Sequence, residues 1–276
     1  MRKINYPLIV SDFDGTLVKR DGTISEENRR AISEYVACGG RFALSTGRMT
    51  AGILSRAREL GLKGLVACCQ GAIIVDIESG KTILEGRLPL ESTIAACNKM
   101  EDMGLHIQVY DSWEYYSNMD DEGLRSYERG VGQKGNLVLD KPISQFVEET
   151  GLCSYKVLAM VKYEDNDRVL AELSKENFPG CTTTRSSRSL VEVINERFSK
   201  GTAVKFIADY YGIPLEKTIG VGDQQNDIPM IQTAGLGIAV QNADADLKAV
   251  ADYVTSATFD ENAIAEVIEK FGFIEE

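Results

Sequence analysis

The chain has 276 residues, 43% of them hydrophobic, enough to bury a core for one large domain or two modest ones. Its formal net charge of -12 argues against nucleic acid or an anionic membrane as the main partner. A single histidine, His106, excludes His-rich zinc sites, and six cysteines without a C-x-x-C pair read as reduced thiols of a cytoplasmic protein.

The N-terminal apolar run at 8–10 stops at Asp12, too short for a signal segment or a membrane span. It reads as a buried strand, followed by a helix that opens at Ser25 with acids in its first turn. A second run at 42–44 leads through Ser45-Thr46-Gly47-Arg48 into a helix ending near residue 60, and 65–67 makes a third strand. Strands separated by helices point to βαβ units and a parallel sheet. Runs at 73–75 and 82–84, joined around Ser79-Gly80, read as a hairpin.

From about residue 88 the pattern changes. Residues 105–110 alternate with period two, which makes His106 a strand residue rather than a ligand, and 156–162 do so less strictly. Helices are expected at 92–103 and 166–177, so 88–187 reads as an inserted α+β domain. The first rhythm then resumes. A helix over 200–211 ends at Gly212 and Pro214, and strands are expected at 218–221, 236–240 and 252–254. The expected architecture is a doubly wound parallel-sheet (Rossmann-like) α/β core, residues 1–87 and 188–276, with the α+β segment 88–187 inserted as a cap.

Four constellations fall at strand ends or helix starts, where open α/β sheets place ligands. In Asp12-Phe13-Asp14-Gly15-Thr16, two carboxylates start on one side of a strand and raise each other's pKa unless a cation intervenes. With Mg²⁺ bound, one could attack an electrophile and the other shuttle a proton; an acidic turn shaped by Gly15 and Thr16 is the plain alternative. Ser45-Thr46-Gly47-Arg48 offers a hydroxyl and backbone N–H groups to a phosphate, or merely caps a helix. In Ser199-Lys200-Gly201 a cation opens a helix, which is out of place unless Lys200 meets an anion. Gly222-Asp223-Gln224-Gln225-Asn226-Asp227 supplies hard oxygen donors suited to Mg²⁺.

Together and in this order, the four motifs resemble the haloacid dehalogenase-like (HAD) superfamily, specifically its Cof-type phosphatases, over essentially the whole chain. The resemblance implies Asp12 as a nucleophile that becomes an aspartyl-phosphate and Asp14 as general acid and base. It implies Mg²⁺ held by Asp12, the backbone carbonyl of Asp14 and Asp223, with Asp227 in support. The phosphoryl oxygens would be held by Thr46, Gly47, Lys200, Asn226 and the Phe13 amide. One departure stands out: Gln70-Gly71-Ala72 occurs where Cof-type chains usually carry Asn-Gly-Ala. The expected function is a cytoplasmic, Mg²⁺-dependent phosphomonoesterase of small phosphorylated metabolites, sugar phosphates or nucleotide-like esters, with neither nucleic acid nor membrane as partner. A phosphomutase would pass the phosphoryl group to a second sugar hydroxyl instead of water, and a non-catalytic sensor would release no phosphate. Substrate selection is expected in the cap, whose polar and aromatic candidates are Tyr110, Trp113, Tyr115, Tyr116, Arg185 and Arg188, with a packed aromatic cluster as the expected role of most of them.

Overall fold

Strand β1 (Leu8–Ser11) is buried at all four positions, so it needs cover on both faces. A computed structural model, describing residues 2–274, supplies that cover. Leu8 and Val10 pack on Ala203, Val204 and Ile207 of the helix Lys200–Tyr211. Ile9 belongs to the opposite layer, with Ile32 and Tyr35 of the helix Glu26–Ala37. Ser25 caps that second helix by accepting from the Asn28 N–H at 3.1 Å.

Next to β1 runs β2 (Arg41–Leu44), parallel to it. Three further strands, β3 (Leu65–Cys68), β4 (Ile73–Asp76) and β5 (Thr82–Glu85), form an antiparallel sheet of their own. The hairpin expected at 73–84 is therefore present. The strand expected at 65–67 joins it rather than the parallel sheet, touching that sheet through one parallel bridge, Ser45 to Ala67.

The inserted segment builds a six-stranded sheet from β6 (His106–Tyr110), β7 (Tyr115–Ser117), β8 (Asn136–Leu137), β9 (Lys156–Met160), β10 (Cys181–Ser187) and β11 (Leu190–Asn195). Their order is β10-β11-β9-β6-β7-β8. Period-two alternation gives this sheet two unlike faces. Ile107, Val109, Val157, Ala159, Val191 and Val193 pack beneath the helices Leu90–Asp102, Ile143–Thr150 and Asn166–Leu173. The other face carries His106, Gln108, Lys156 and Glu192. On that side lies the helix Glu122–Val131, whose Leu124 and Tyr127 pack in one cluster with Tyr110, Tyr115 and Leu158.

This sheet corrects the expected boundary at 187. β11 lies wholly beyond it, yet pairs with both β9 and β10 in the middle of the cap sheet. The physical reason is that β10 reads Cys-Thr-Thr-Thr-Arg-Ser-Ser, without the apolar alternation that announces a strand.

The chain returns to the core as β12 (Thr218–Gly222), β13 (Leu236–Ala239) and β14 (Tyr253–Val254), completing a parallel sheet of order β14-β13-β12-β1-β2. Strand order reverses at β1, so the loops after β1 and β12 meet at a topological switch point, where such sheets bind ligands. Among the described residues no helix is long and apolar enough to cross a membrane.

Placing β11 in the cap has a measurable consequence. Val193→Ala removes buried methyl groups and should cost roughly 2 kcal/mol. Faster amide hydrogen exchange is expected in β6 and β9 of the cap, with β1 and β12 unchanged. Loss of protection confined to the core strands would put β11 on the wrong side of the boundary.

Candidate active site

Asp12 follows β1 and Asp223 follows β12, neighbouring strands in register Ser11 to Val221. The Asp12 N–H donates to the Val221 carbonyl at 2.9 Å, extending that register into the loop. Gly15 makes the junction fit. Its φ of +80° is left-handed, and a Cβ there would fall 2.5 Å from Asp223 Oδ2.

Lys200 opens its helix beneath these carboxylates, where Ser199 and Thr202 form a capping box. The Lys200 side chain is 1% exposed, and its Nζ donates to Asp12 Oδ1 and to Asp227 Oδ1, each at 2.6 Å. The anion that a lysine at a helix start requires is thus a pair of buried carboxylates. Burial alone would lower the Lys200 pKa, but Asp12 and Asp227 outweigh it and raise it.

Asp227 spends its other oxygen on the backbone N–H groups of Asp223 (2.9 Å) and Gln224 (3.0 Å). Asp223 accepts from Thr16 Oγ1 at 2.8 Å and from Gln224 Nε2 at 3.2 Å. Asp12 Oδ2 receives no hydrogen bond from the described residues. Carboxylate oxygens of Asp12, Asp223 and Asp227 lie within 4.8 Å of one another. Three buried carboxylates against one ammonium leave negative charge uncompensated. Burial, with Asp227 adding, pushes Asp223 up to about 7, and burial also drives Asp12 well above the usual carboxylate range. A hard divalent cation fits this all-oxygen, electron-rich donor set.

The Asp14 side chain stands apart from this cluster. It is 51% exposed, and both its oxygens accept from Arg48, at 2.7 Å each through Nε and Nη2. Arg48 Nη2 also donates to the Gly130 carbonyl at 2.9 Å, at the end of the cap helix. Thr46 Oγ1 accepts from the Arg48 N–H at 3.1 Å. The N–H groups of Phe13 and Gly47 meet no protein acceptor among the described residues.

Asp12, Asp14, Thr46, Gly47, Lys200 and Asn226 line a single cavity of about 230 Å³ between core and cap. Asp223 and Asp227 stand behind it, and the Phe13 ring is buried in the core. From the cap, Tyr127, Lys156, Ser186, Leu190 and Glu192 are among the residues that line it. Sequence reasoning missed all five, although Lys156 and Glu192 carried a signal as charges inside otherwise apolar strand patterns.

None of the six cap candidates lines this cavity, and three of the tyrosines take the packed aromatic role expected for most of them. Tyr110 and Tyr115 are buried and stacked on each other at 5.3 Å, and Tyr116 packs on Phe146. Trp113 is 56% exposed, Arg185 pairs with Asp167 at 2.6 Å, and Arg188 lies 3.8 Å from the same carboxylate.

The sequence pattern of the haloacid dehalogenase-like hydrolases matches residues 9–268. The chain belongs to that family. It is a Cof-type phosphomonoesterase, as its motif order had implied. The phosphatase YwpJ of Bacillus subtilis is 27% identical over 95% of this chain and 98% of its own. The 5-amino-6-(5-phospho-D-ribitylamino)uracil phosphatase YcsE of the same bacterium is 29% identical over 96% and 95%. A haloacid dehalogenase-like hydrolase from Bacteroides thetaiotaomicron superposes with a TM-score of 0.81 at 29% identity, covering 96% of this chain and 99% of that one. The sugar phosphatase BT4131 reaches 0.83 at 26% identity, covering 97% and 99%.

In this hydrolase the carboxylate cluster predicts how stability responds to pH. An unfolded aspartate titrates near about 3.9. Between there and about 7 the folded, chelator-treated protein keeps a proton on Asp223 that the unfolded chain has lost. The folded state then binds more protons, so stability falls as pH rises through this window. Compared with Asp223→Asn, the chelated parent should lose thermal stability from pH 4 to 7, and Mg²⁺ should restore more at pH 8 than at pH 5. A chelated parent that gained stability over the same window, relative to that variant, would contradict the assignment.

Proposed function

We propose that this phosphatase is Mg²⁺-dependent, cytoplasmic, and hydrolyses small phosphorylated metabolites, sugar phosphates or nucleotide-like esters, through an aspartyl-phosphate on Asp12. The observation that carries the reading is the state of Asp12. One of its oxygens is held by Lys200 and the other meets no donor among the described residues, in a cavity shared with Asp14. The names of the relatives support the substrate class, since one acts on a sugar phosphate and another on a phosphorylated ribityl compound. Six unpaired cysteines agree with a reducing compartment.

In the first half-reaction Asp12 Oδ2 attacks phosphorus, the bond from phosphorus to the ester oxygen breaks, and Asp14 gives that oxygen a proton. To do so Asp14 must turn at least one oxygen out of the Arg48 fork. In the second half Asp14 takes a proton from water, the water oxygen attacks phosphorus, and Asp12 is released with inorganic phosphate. Lys200, Thr46, Asn226 and the N–H groups of Phe13 and Gly47 bind the phosphoryl oxygens. Lys200 also reduces the repulsion between an anionic nucleophile and an anionic substrate. Mg²⁺ would be held by Asp12, Asp223 and the Asp14 carbonyl, and it would supply further positive charge against the phosphoryl oxygens. Asp227, with both oxygens already engaged, orients Lys200 and the loop.

Asp12→Asn should abolish turnover with the circular dichroism spectrum unchanged. Asp14→Asn should lower turnover of alkyl phosphates by roughly 10²–10⁴-fold. Its first step should suffer less with nitrophenyl phosphate, whose leaving group needs little protonation. Near-normal hydrolysis by Asp12→Asn removes that residue from the nucleophile role. Equal impairment of both ester types in the first step of Asp14→Asn removes Asp14 from the acid role.

Removal of the metal is a separate test. Chelation should stop phosphate release, added Mg²⁺ should restore it, and Ca²⁺ should inhibit, because its 6–8 ligands at longer range would engage both oxygens of Asp12. Full activity after exhaustive chelation would refute the metal dependence.

A further inference from the structure

Gln70 lies in a turn where it and Cys69 both adopt left-handed backbone, φ +61° and +47°. Residues other than glycine seldom do this without compensation nearby. The compensation here is a chain of buried polar groups. Gln70 Oε1 accepts from Asn226 Nδ2 at 2.9 Å, and Gln70 Nε2 donates to Glu192 Oε2 at 3.0 Å. Glu192 Oε1 takes Lys156 Nζ at 3.2 Å and Ser186 Oγ at 2.5 Å, while Lys156 Nζ also donates to the Gly47 carbonyl at 3.0 Å. Gln70, Asn226, Lys156 and Glu192 are all more than nine-tenths buried.

The polarity of this chain has one solution. An ionised carboxylate only accepts, so Glu192 must receive the amide nitrogen of Gln70. The amide oxygen of Gln70 is then turned to Asn226, which must offer it an N–H. Asn226 keeps its second N–H and its Oδ1, and that oxygen has no partner among the described residues. Gly47 leaves room for the arrangement, since a Cβ there would lie 2.7 Å from Gln70 Nε2. An asparagine at position 70, one methylene shorter, could not span Asn226 and Glu192 from the same backbone.

We propose that Gln70 is a positioning residue: it fixes which edge of the Asn226 amide meets the phosphoryl group, and it ties that orientation to the docked cap through Glu192. The proposal rests on Asn226 as a phosphoryl-binding group, and it adds that phosphate affinity depends on a cap residue that never touches phosphate.

The test is calorimetric titration of inorganic phosphate into the Mg²⁺-loaded full chain, which reads binding without turnover. Gln70→Leu should weaken phosphate binding roughly tenfold, the effect of one lost buried hydrogen bond. Gln70→Glu sets two carboxylates against each other and should weaken it further. The exchanged pair, Gln70→Glu with Glu192→Gln, restores the bond with its donor reversed and should bind at least fivefold more tightly than Gln70→Glu alone. A folded Gln70→Leu within twofold of the parent overturns the proposal. So does an exchanged pair no tighter than the single variant, a comparison that stands even if Gln70→Leu fails to fold. A parent that binds phosphate but never hydrolyses an ester would count against the hydrolytic reading and leave this result intact.

Discussion

One ammonium among three buried carboxylates is the constraint on which this molecule turns. Lys200 contacts Asp12 and Asp227 directly, with Asp223 beside them, so the site carries more negative charge than it can balance internally. Burying charge in this way costs free energy unless geometry and hydrogen bonds are close to ideal. Here the geometry is imposed by the fold. Adjacent strands deliver Asp12 and Asp223, a capped helix start delivers Lys200, and two loop N–H groups hold Asp227. A site assembled under such electrostatic tension gains from a bound cation and from an incoming group whose oxygens can share the lysine.

The cap contributes a different kind of chemistry. Its polar face meets the core through Lys156 on the Gly47 carbonyl, Glu192 on Gln70, and the Gly130 carbonyl on Arg48. Each contact ends on a core residue beside the proposed phosphoryl site or on one that holds Asp14. Gly130 lies in the last turn of its helix, where carbonyls lack intrahelical partners and the dipole is negative, so a guanidinium is at home there. Docking the cap therefore orders the core side chains at the same time as it shields the cavity from water. Two of the cap tyrosines, Tyr110 and Tyr115, support the helix from which Tyr127 reaches the cavity.

What could be read from the sequence and what could not divide along physical lines. Asp12, Asp14, Asp223 and Asp227 sit in short motifs after apolar runs, so spacing alone brings them to strand ends. Lys200 was visible because a cation is unfavourable at a helix start without an anion to meet it. The parallel core followed from strands alternating with capped helices. The cap was harder because its informative contacts join residues far apart in the chain, such as Gln70 with Glu192 and Arg48 with Gly130. β10 was hidden by its run of Thr and Ser, and the boundary at 187 slipped with it. The helix Glu122–Val131, which places Tyr127 and Gly130, was missed as well. Its apolar residues Leu124, Tyr127 and Val131 recur at helical spacing behind the N-cap Asp121, so this element was legible, and only Gly123 and Gly130 weaken the pattern.

The central claim is that a phosphoryl group passes through Asp12. The most direct measurement is a rapid acid quench of the enzyme during turnover of a labelled phosphate ester, followed by peptide mapping of the protein-bound label. The account predicts a transient acyl-phosphate on the peptide containing Asp12, absent from Asp12→Asn. Label on a different residue, or substrate consumed at full rate with no covalent label at any time under conditions where Asp14→Asn stalls the second half-reaction, would contradict it.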